Sequence, residues 1–256
     1  MTFVDSDPLS HDSFAGGVVV GRRALLTIPL AMSASGAMKL LQEPDSKPAS
    51  RATGGSALST IDIQQFEQEW KTIAKELGGS KPEADEIYAN LLSSLIARIP
   101  LQLLPKLTNG KGSNGLIGGP SWVRLPCVMV EFQMEPGAML RLHNHPPQVV
   151  VTLCAEGACD FRHFEHEGEA PPCTQIDGKQ FKIRESRRGV LSTARTTALT
   201  RTRDGFHTFK ATKKGARIID FIVSFGDTST FSYVQLSEKP IDAEAQVYEA
   251  VWLGKK

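Results

Sequence analysis

Leu140-Arg141-Leu142-His143-Asn144-His145-Pro146-Pro147-Gln148-Val149-Val150-Val151 is the stretch that decides the fold of this chain. Apolar and polar residues alternate as far as His143, two prolines follow His145, and a β-branched run comes after them. The pattern predicts two β-strands joined by a stiff turn. On a strand, residues i and i+2 share a face, so His143 and His145 project together. A single histidine is usually a hydrogen-bonded core residue. Two imidazoles side by side, with Gly137 before them and a proline turn after, make a poor core and a good start to a metal site.

The neighbouring segments have the same texture. After the glycine-rich run Asn109 to Pro120, short β-rich segments alternate with glycine turns: Val128 to Met134, Gln148 to Cys154, Cys159 to Phe164, Ala198 to Arg203, Ile218 to Phe225 and Phe231 to Leu236. Such strands without intervening helical periodicity imply a mainly β sandwich or barrel, set here at residues 120–256 and strand-rich from about Trp122. Residues 59–108 read instead as a helical accessory segment. Ser59-Thr60-Ile61-Asp62 has the form of a capping box, and Ile63, Phe66, Trp70, Ile73 and Leu77 trace an amphipathic stripe that Gly78-Gly79 stops. Pro82 is placed to start a second helix, with Ile87, Leu91, Leu95 and Ile99 on one face.

Composition narrows the function. The 256 residues carry 29 basic and 28 acidic side chains, a net charge of +1, which gives no overall field to recruit nucleic acid or an acidic membrane. Four cysteines (Cys127, Cys154, Cys159, Cys173) are too few for a disulfide scaffold and include no C-x-x-C pair. Residues 1–58 read as a leader and linker. Arg22-Arg23 before a moderately apolar, small-residue segment resembles a twin-arginine export signal, which implies a periplasmic location; without export the chain would be cytoplasmic. The segment is too short and polar for stable membrane insertion, and a monomer is expected.

The spacing Gly137, His143-x-His145 and Gly157 resembles the first metal motif of cupins, whose barrel is a double-stranded β-helix, or jelly roll. The glutamate ligand of most cupins falls on Val150, so a carboxylate is missing. The second cupin motif fits Asp204-Gly205-Phe206-His207-Thr208-Phe209, which supplies His207. Three neutral histidines suit Fe, Cu, Ni or Zn by ligand type. Among cupins, Leu142-His143-Asn144-His145-Pro146 resembles the LHNHP signature of the plant cysteine oxidases and cysteamine dioxygenases, and residues 204–223 resemble a second region of that family. The resemblance implies Fe(II) on His143, His145 and His207, and Asp220 near the site to orient a histidine or take a substrate proton. It implies oxidation of a small-molecule or peptide thiol by O2 to a sulfinic acid. The chain departs from the family at Pro147-Gln148, where Gly-Met is usual, and at Gly226, where a tyrosine is usual; Tyr233 is the candidate for a later catalytic tyrosine. The competing readings are a non-enzymatic metal- or ligand-binding cupin, and a cupin dioxygenase or isomerase of another substrate class.

Three further features are expected to be structural. His163 and His166 fall on opposite faces of a strand or in a charged loop. Cys154 and Cys159 flank Gly157 as if across a tight hairpin, placing two thiols, or a disulfide, opposite each other. Ten basic residues against two acidic ones between Arg184 and Arg217 read as a solvated sheet face, or otherwise as a positive mouth near His207.

Overall fold

The computed structural model describes residues 59–77, 81–124, 126–173, 178–225 and 231–254. The Arg22-Arg23 leader, the Gly78-Gly79 stop and Gly226 lie outside them. Along the chain come α1 (Ile63–Leu77), α2 (Asp85–Ile96), β1 (Lys111–Ser113), β2 (Leu116–Arg124), β3 (Cys127–Met134), β4 (Met139–Asn144), β5 (Gln148–His166), β6 (Phe181–Ser192), β7 (Thr196–Leu199), β8 (Phe206–Ser224), β9 (Tyr233–Leu236) and β10 (Val247–Gly254). The chain is mainly β, with two helices ahead of a β-barrel.

β5 and β8, each 19 residues long, form the frame. They pair antiparallel from Gln148↔Ser224 to Phe164↔Phe206, with register shifts around Gly157. Gly157 and Gly215 both take positive φ, and a Cβ on Gly157 would meet the Gly215 carbonyl oxygen at 2.2 Å, so the two strands bend together where only glycine fits. Beyond the bend each strand takes new partners. The pairings β8–β4, β4–β9, β9–β10, β10–β6, β6–β5 and β5–β8 close a ring. Before the bend, β5 pairs β7, and the far half of β8 pairs β3, which carries β2 and β1. The expected hairpin between Cys154 and Cys159 is therefore corrected to one continuous bent strand. All four cysteines are free thiols. The sheet also starts before Pro120, because the glycine-rich run itself pairs as β1 and β2.

Alternation along β5 and β8 divides the side chains between two layers. Val149, Val151, Leu153, Ile219, Phe221 and Val223 face the helices and join Phe66, Trp70, Tyr88 and Leu92 in one buried cluster. Trp70 donates its indole N–H to the Tyr88 hydroxyl at 2.6 Å inside it. Helix α1 lies as its stripe requires, although its cap is Asp62 rather than Ser59: Asp62 Oδ1 accepts the Gln65 N–H at 2.8 Å. Helix α2 corrects the expected face. It buries Asp85, Tyr88, Ala89, Leu92, Leu95 and Ile96, whereas Ile87 and Leu91 stand 49% and 46% exposed. Positions four apart drift by about 40° per step around a helix, and the Asp85–Arg201 ion pair (2.6 Å) fixes the rotation instead.

Candidate metal centre

The face of β5 and β8 turned away from the helices carries Gln148, Val150 and Thr152, and opposite them Ser224, Ile222 and Asp220. His143 is the last residue but one of β4, His145 follows in the turn, and His207 is the second residue of β8, directly opposite His143. The three histidines and Asp220 converge: one ligand atom from each lies within 4.8 Å of all the others. His143, His207 and Asp220 are buried, and His145 is partly so.

The imidazole nitrogens are oriented in a way that bears on a metal. His143 Nδ1 lies 2.8 Å from the Arg141 carbonyl oxygen and His145 Nδ1 lies 2.9 Å from Gln148 Oε1. Both partners only accept, so each Nδ1 carries its ring's proton and each Nε2 presents a lone pair. His207 Nε2 sits 3.1 Å from His143 Nε2 and 3.0 Å from His145 Nε2. One proton on His207 Nε2 can point at only one of the two neighbours and leaves the other's lone pair without a donor. Protonating the rings is no remedy. Burial, with mutual repulsion, holds His143 down to about 3 and His207 well below its ordinary value; burial holds His145 down to about 4. A cation resolves the conflict. Two nitrogens about 2.1 Å from one ion lie roughly 3.0 Å apart at a right angle and roughly 3.4 Å apart at the tetrahedral angle. The two observed spacings fit the right-angled value, so His143, His145 and His207 could hold one ion through their Nε2 atoms.

The place of the missing carboxylate is apolar. Val150 is fully buried against Leu199 and Ile222, between Gln148 and Thr152 on the same strand face. The carboxylate in the cluster comes from across the sheet. Asp220 Oδ1 accepts the Thr152 hydroxyl at 2.5 Å, Oδ2 is buried without a partner, and burial raises the group to about 7. The Nδ1 atoms of His143 and His145 face Arg141 and Gln148, and His207 Nδ1 has no hydrogen-bond partner, so the histidine contacts of Asp220 do not run through Nδ1. Tyr233 pairs with His143 across β4 and β9, with ring centroids 6.0 Å apart; Phe231, 41% exposed, lies 6.1 Å from the same ring. Burial raises the Tyr233 hydroxyl above its ordinary value.

The other sequence candidates sit elsewhere. His163 is opposite His207 in register, but its Nδ1 meets Arg187 (3.0 Å) and Asp204 (3.4 Å) and its Nε2 meets Thr197 (3.3 Å). His166 faces the other way, onto Phe206 and Phe181. The basic run is largely the solvated face expected of it, with Arg184, Arg188, Arg195, Arg203, Lys210, Lys213 and Lys214 exposed, and Arg184, Arg187, Arg188, Arg201, Arg203 and Arg217 pair with carboxylates, Arg201 and Arg203 reaching α2 at Asp85 and Glu86. The residues that sequence reasoning missed are Gln148, Thr152 and Ser224. Gln148 alone left a signal, standing just past the proline turn where the chain departs from the family pattern.

No family model and no curated protein matches the chain. Solved structures similar to it include KdgF from Halomonas sp., with TM-score 0.32 and 15% identity over 45% of this chain and 86% of that one. Oxalate oxidase in complex with glycolate matches with TM-score 0.36 and 15% identity over 50% of this chain, which spans 59% of that structure's length. Pumpkin seed globulin matches with TM-score 0.38 and 10% identity over 50% of this chain and 30% of that one.

Proposed function

We propose that this chain is a ferrous thiol dioxygenase, which converts a small-molecule or peptide thiol and O2 into a sulfinic acid, R–SH + O2 → R–SO2H. The observation that supports it is the donor set: three neutral imidazoles converge while Val150 occupies the place of the usual cupin glutamate. Held by neutral ligands, a ferrous ion would keep its full charge there and would supply the chemistry for oxidising a thiol with O2. His143, His145 and His207 would hold it through Nε2. Asp220 Oδ2, unpartnered and raised to about 7, is suited to take the thiol proton and return it to the product. Phe231 and Tyr233 beside His143 limit water at the site.

A second reading has one observation in its favour. Asp220 is within reach of the same centre, and a three-histidine, one-aspartate set suits a metal-binding module or a cupin enzyme of another substrate class. Asp220→Asn separates the two. The thiol dioxygenase keeps its iron and loses turnover; the four-ligand centre loses metal affinity as well. The direct test of the proposal loads the protein anaerobically with Fe(II), admits O2 with cysteamine, 3-mercaptopropionate and a peptide with N-terminal cysteine, and reads products by mass spectrometry. A product heavier by two oxygen atoms from any one of them supports the proposal. Thiol-independent oxygen uptake, or disulfide as the sole product, refutes it.

A further inference from the structure

We infer that Gln148 is a positioning residue that fixes His145 in the ligand-competent tautomer and, with Ser224, holds that ring at the metal centre. The inference rests on reading the triad as a metal site, and not on which reaction the site performs.

The geometry begins in the backbone. The Gln148 N–H donates to the His145 carbonyl at 2.8 Å, closing the Pro146-Pro147 turn and setting the Gln148 side chain beside the His145 ring. Gln148 also pairs in register with Ser224, so the far end of its amide meets the Ser224 side chain: Gln148 Nε2 donates to Ser224 Oγ at 3.0 Å. Its near end, Oε1, faces His145 Nδ1 at 2.9 Å. A neutral imidazole has one N–H and one lone pair. With a carbonyl oxygen against Nδ1, the proton belongs there, and Nε2 turns its lone pair toward His207 Nε2, 3.0 Å away. An amide turned end for end would place N–H against Nδ1, move the proton to Nε2 and block the ligand atom.

The contrast with the other two ligands makes Gln148 matter. His143 takes the same tautomer from a backbone carbonyl that no side-chain change removes, and His207 Nδ1 has no hydrogen-bond partner. Gln148 is therefore the side chain that decides whether a second ring reaches the centre in the right form. Its neighbour on the same strand face, Val150, carries no polar atom that could substitute. Partners of this kind typically change metal affinity roughly 10- to 100-fold.

The test uses the full chain without metal, thiol or O2 for its first measurement. Ring nitrogens labelled with 15N report the His145 tautomer by NMR, its signals assigned by their loss in His145→Gln. Wild type should show the proton on Nδ1, and so should Gln148→Glu, whose carboxylate still accepts. Gln148→Met should show a mixed or reversed tautomer. The second measurement is anaerobic competition for Fe(II) against a chelator, where Gln148→Met should bind roughly 10- to 100-fold more weakly and Gln148→Glu at least as tightly as wild type. If Gln148→Met fails to fold, Ser224→Ala frees the amide and should shift both readings in the same direction by a smaller factor. Wild-type His145 protonated on Nε2, or an unchanged tautomer in the folded Gln148→Met or Ser224→Ala protein, overturns the inference. Because the tautomer is read before any reaction, an enzyme that oxidises no thiol leaves this result standing.

Discussion

Val150→Glu restores a carboxylate where most cupins place one, and its consequences can be worked from the site. Val150 is fully buried in the cluster with Leu199 and Ile222, on the strand face that also carries Gln148 and Thr152. Without metal, the longer side chain costs about 1–3 kcal/mol in overpacking and its unpaired polar group about 1–3 kcal/mol more. At roughly 2–4 °C per kcal/mol for a body of this size, the metal-free variant should melt roughly 10 °C below wild type. With Fe(II) bound, the glutamate would become a fourth ligand, fill an open position and cancel one positive charge. Iron content should hold or rise, and the gain in melting temperature on loading should exceed that of wild type. Thiolate then has less charge and fewer positions to bind, and a loss of about 2.7 kcal/mol or more in transition-state stabilisation corresponds to roughly 100-fold slower oxidation. Iron analysis, melting in both metal states and thiol-dependent oxygen uptake on one preparation read all three effects. A variant with its iron and full activity would refute the link between the missing glutamate and the chemistry. Equal gains on loading for both proteins would show that Val150 does not face the metal.

Acid should destabilise the metal-free protein. Burial, with the neighbouring imidazole, pushes His143 down to about 3, and burial pushes His145 down to about 4, from the ordinary 6.5. The folded chain thus refuses protons that the unfolded chain accepts, so this stability is full above pH 6.5 and declines toward pH 4 and below. At about pH 5.5 the pair costs about 3 kcal/mol, and melting temperatures that stay flat between pH 7.5 and 5.5 would contradict it. Asp85→Ala strips a 1%-exposed carboxylate from Arg201 and should cost about 3 kcal/mol, seen in urea unfolding, while Fe(II) affinity changes less than tenfold. His163→Gln should lower the melting temperature by disturbing the Arg187, Asp204 and Thr197 contacts, yet leave iron per chain unchanged; loss of iron would make His163 a ligand.

The local parts of this architecture were legible in the sequence, and the parts set by distant contacts were not. The i, i+2 rule alone placed His143 and His145 on one face, and the stripe from Ile63 to Leu77 described α1. His207 and Asp220 became visible only through a resemblance, since nothing local ties residue 207 to residue 143. Gly157 reads as a turn because glycine usually marks one; that β5 bends there and continues depends on Gly215, on another strand. The face of helix α2 was not legible from Ile87, Leu91, Leu95 and Ile99, because the contacts of Asp85 with Arg201 and of Tyr88 with Trp70 come from distant parts of the chain. β6 is masked in the sequence by the charged residues that fill its exposed side, and β1 and β2 by glycines, which lower strand propensity.

Iron content after anaerobic loading, compared between wild type and the paired substitution His143→Ala with His145→Ala, bears most directly on the metal centre. Wild type should hold about one iron per chain, and the double variant, folded by circular dichroism, should hold almost none, since one imidazole cannot retain the ion alone. Equal iron in both proteins would mean that the convergence of His143, His145 and His207 is not a metal site.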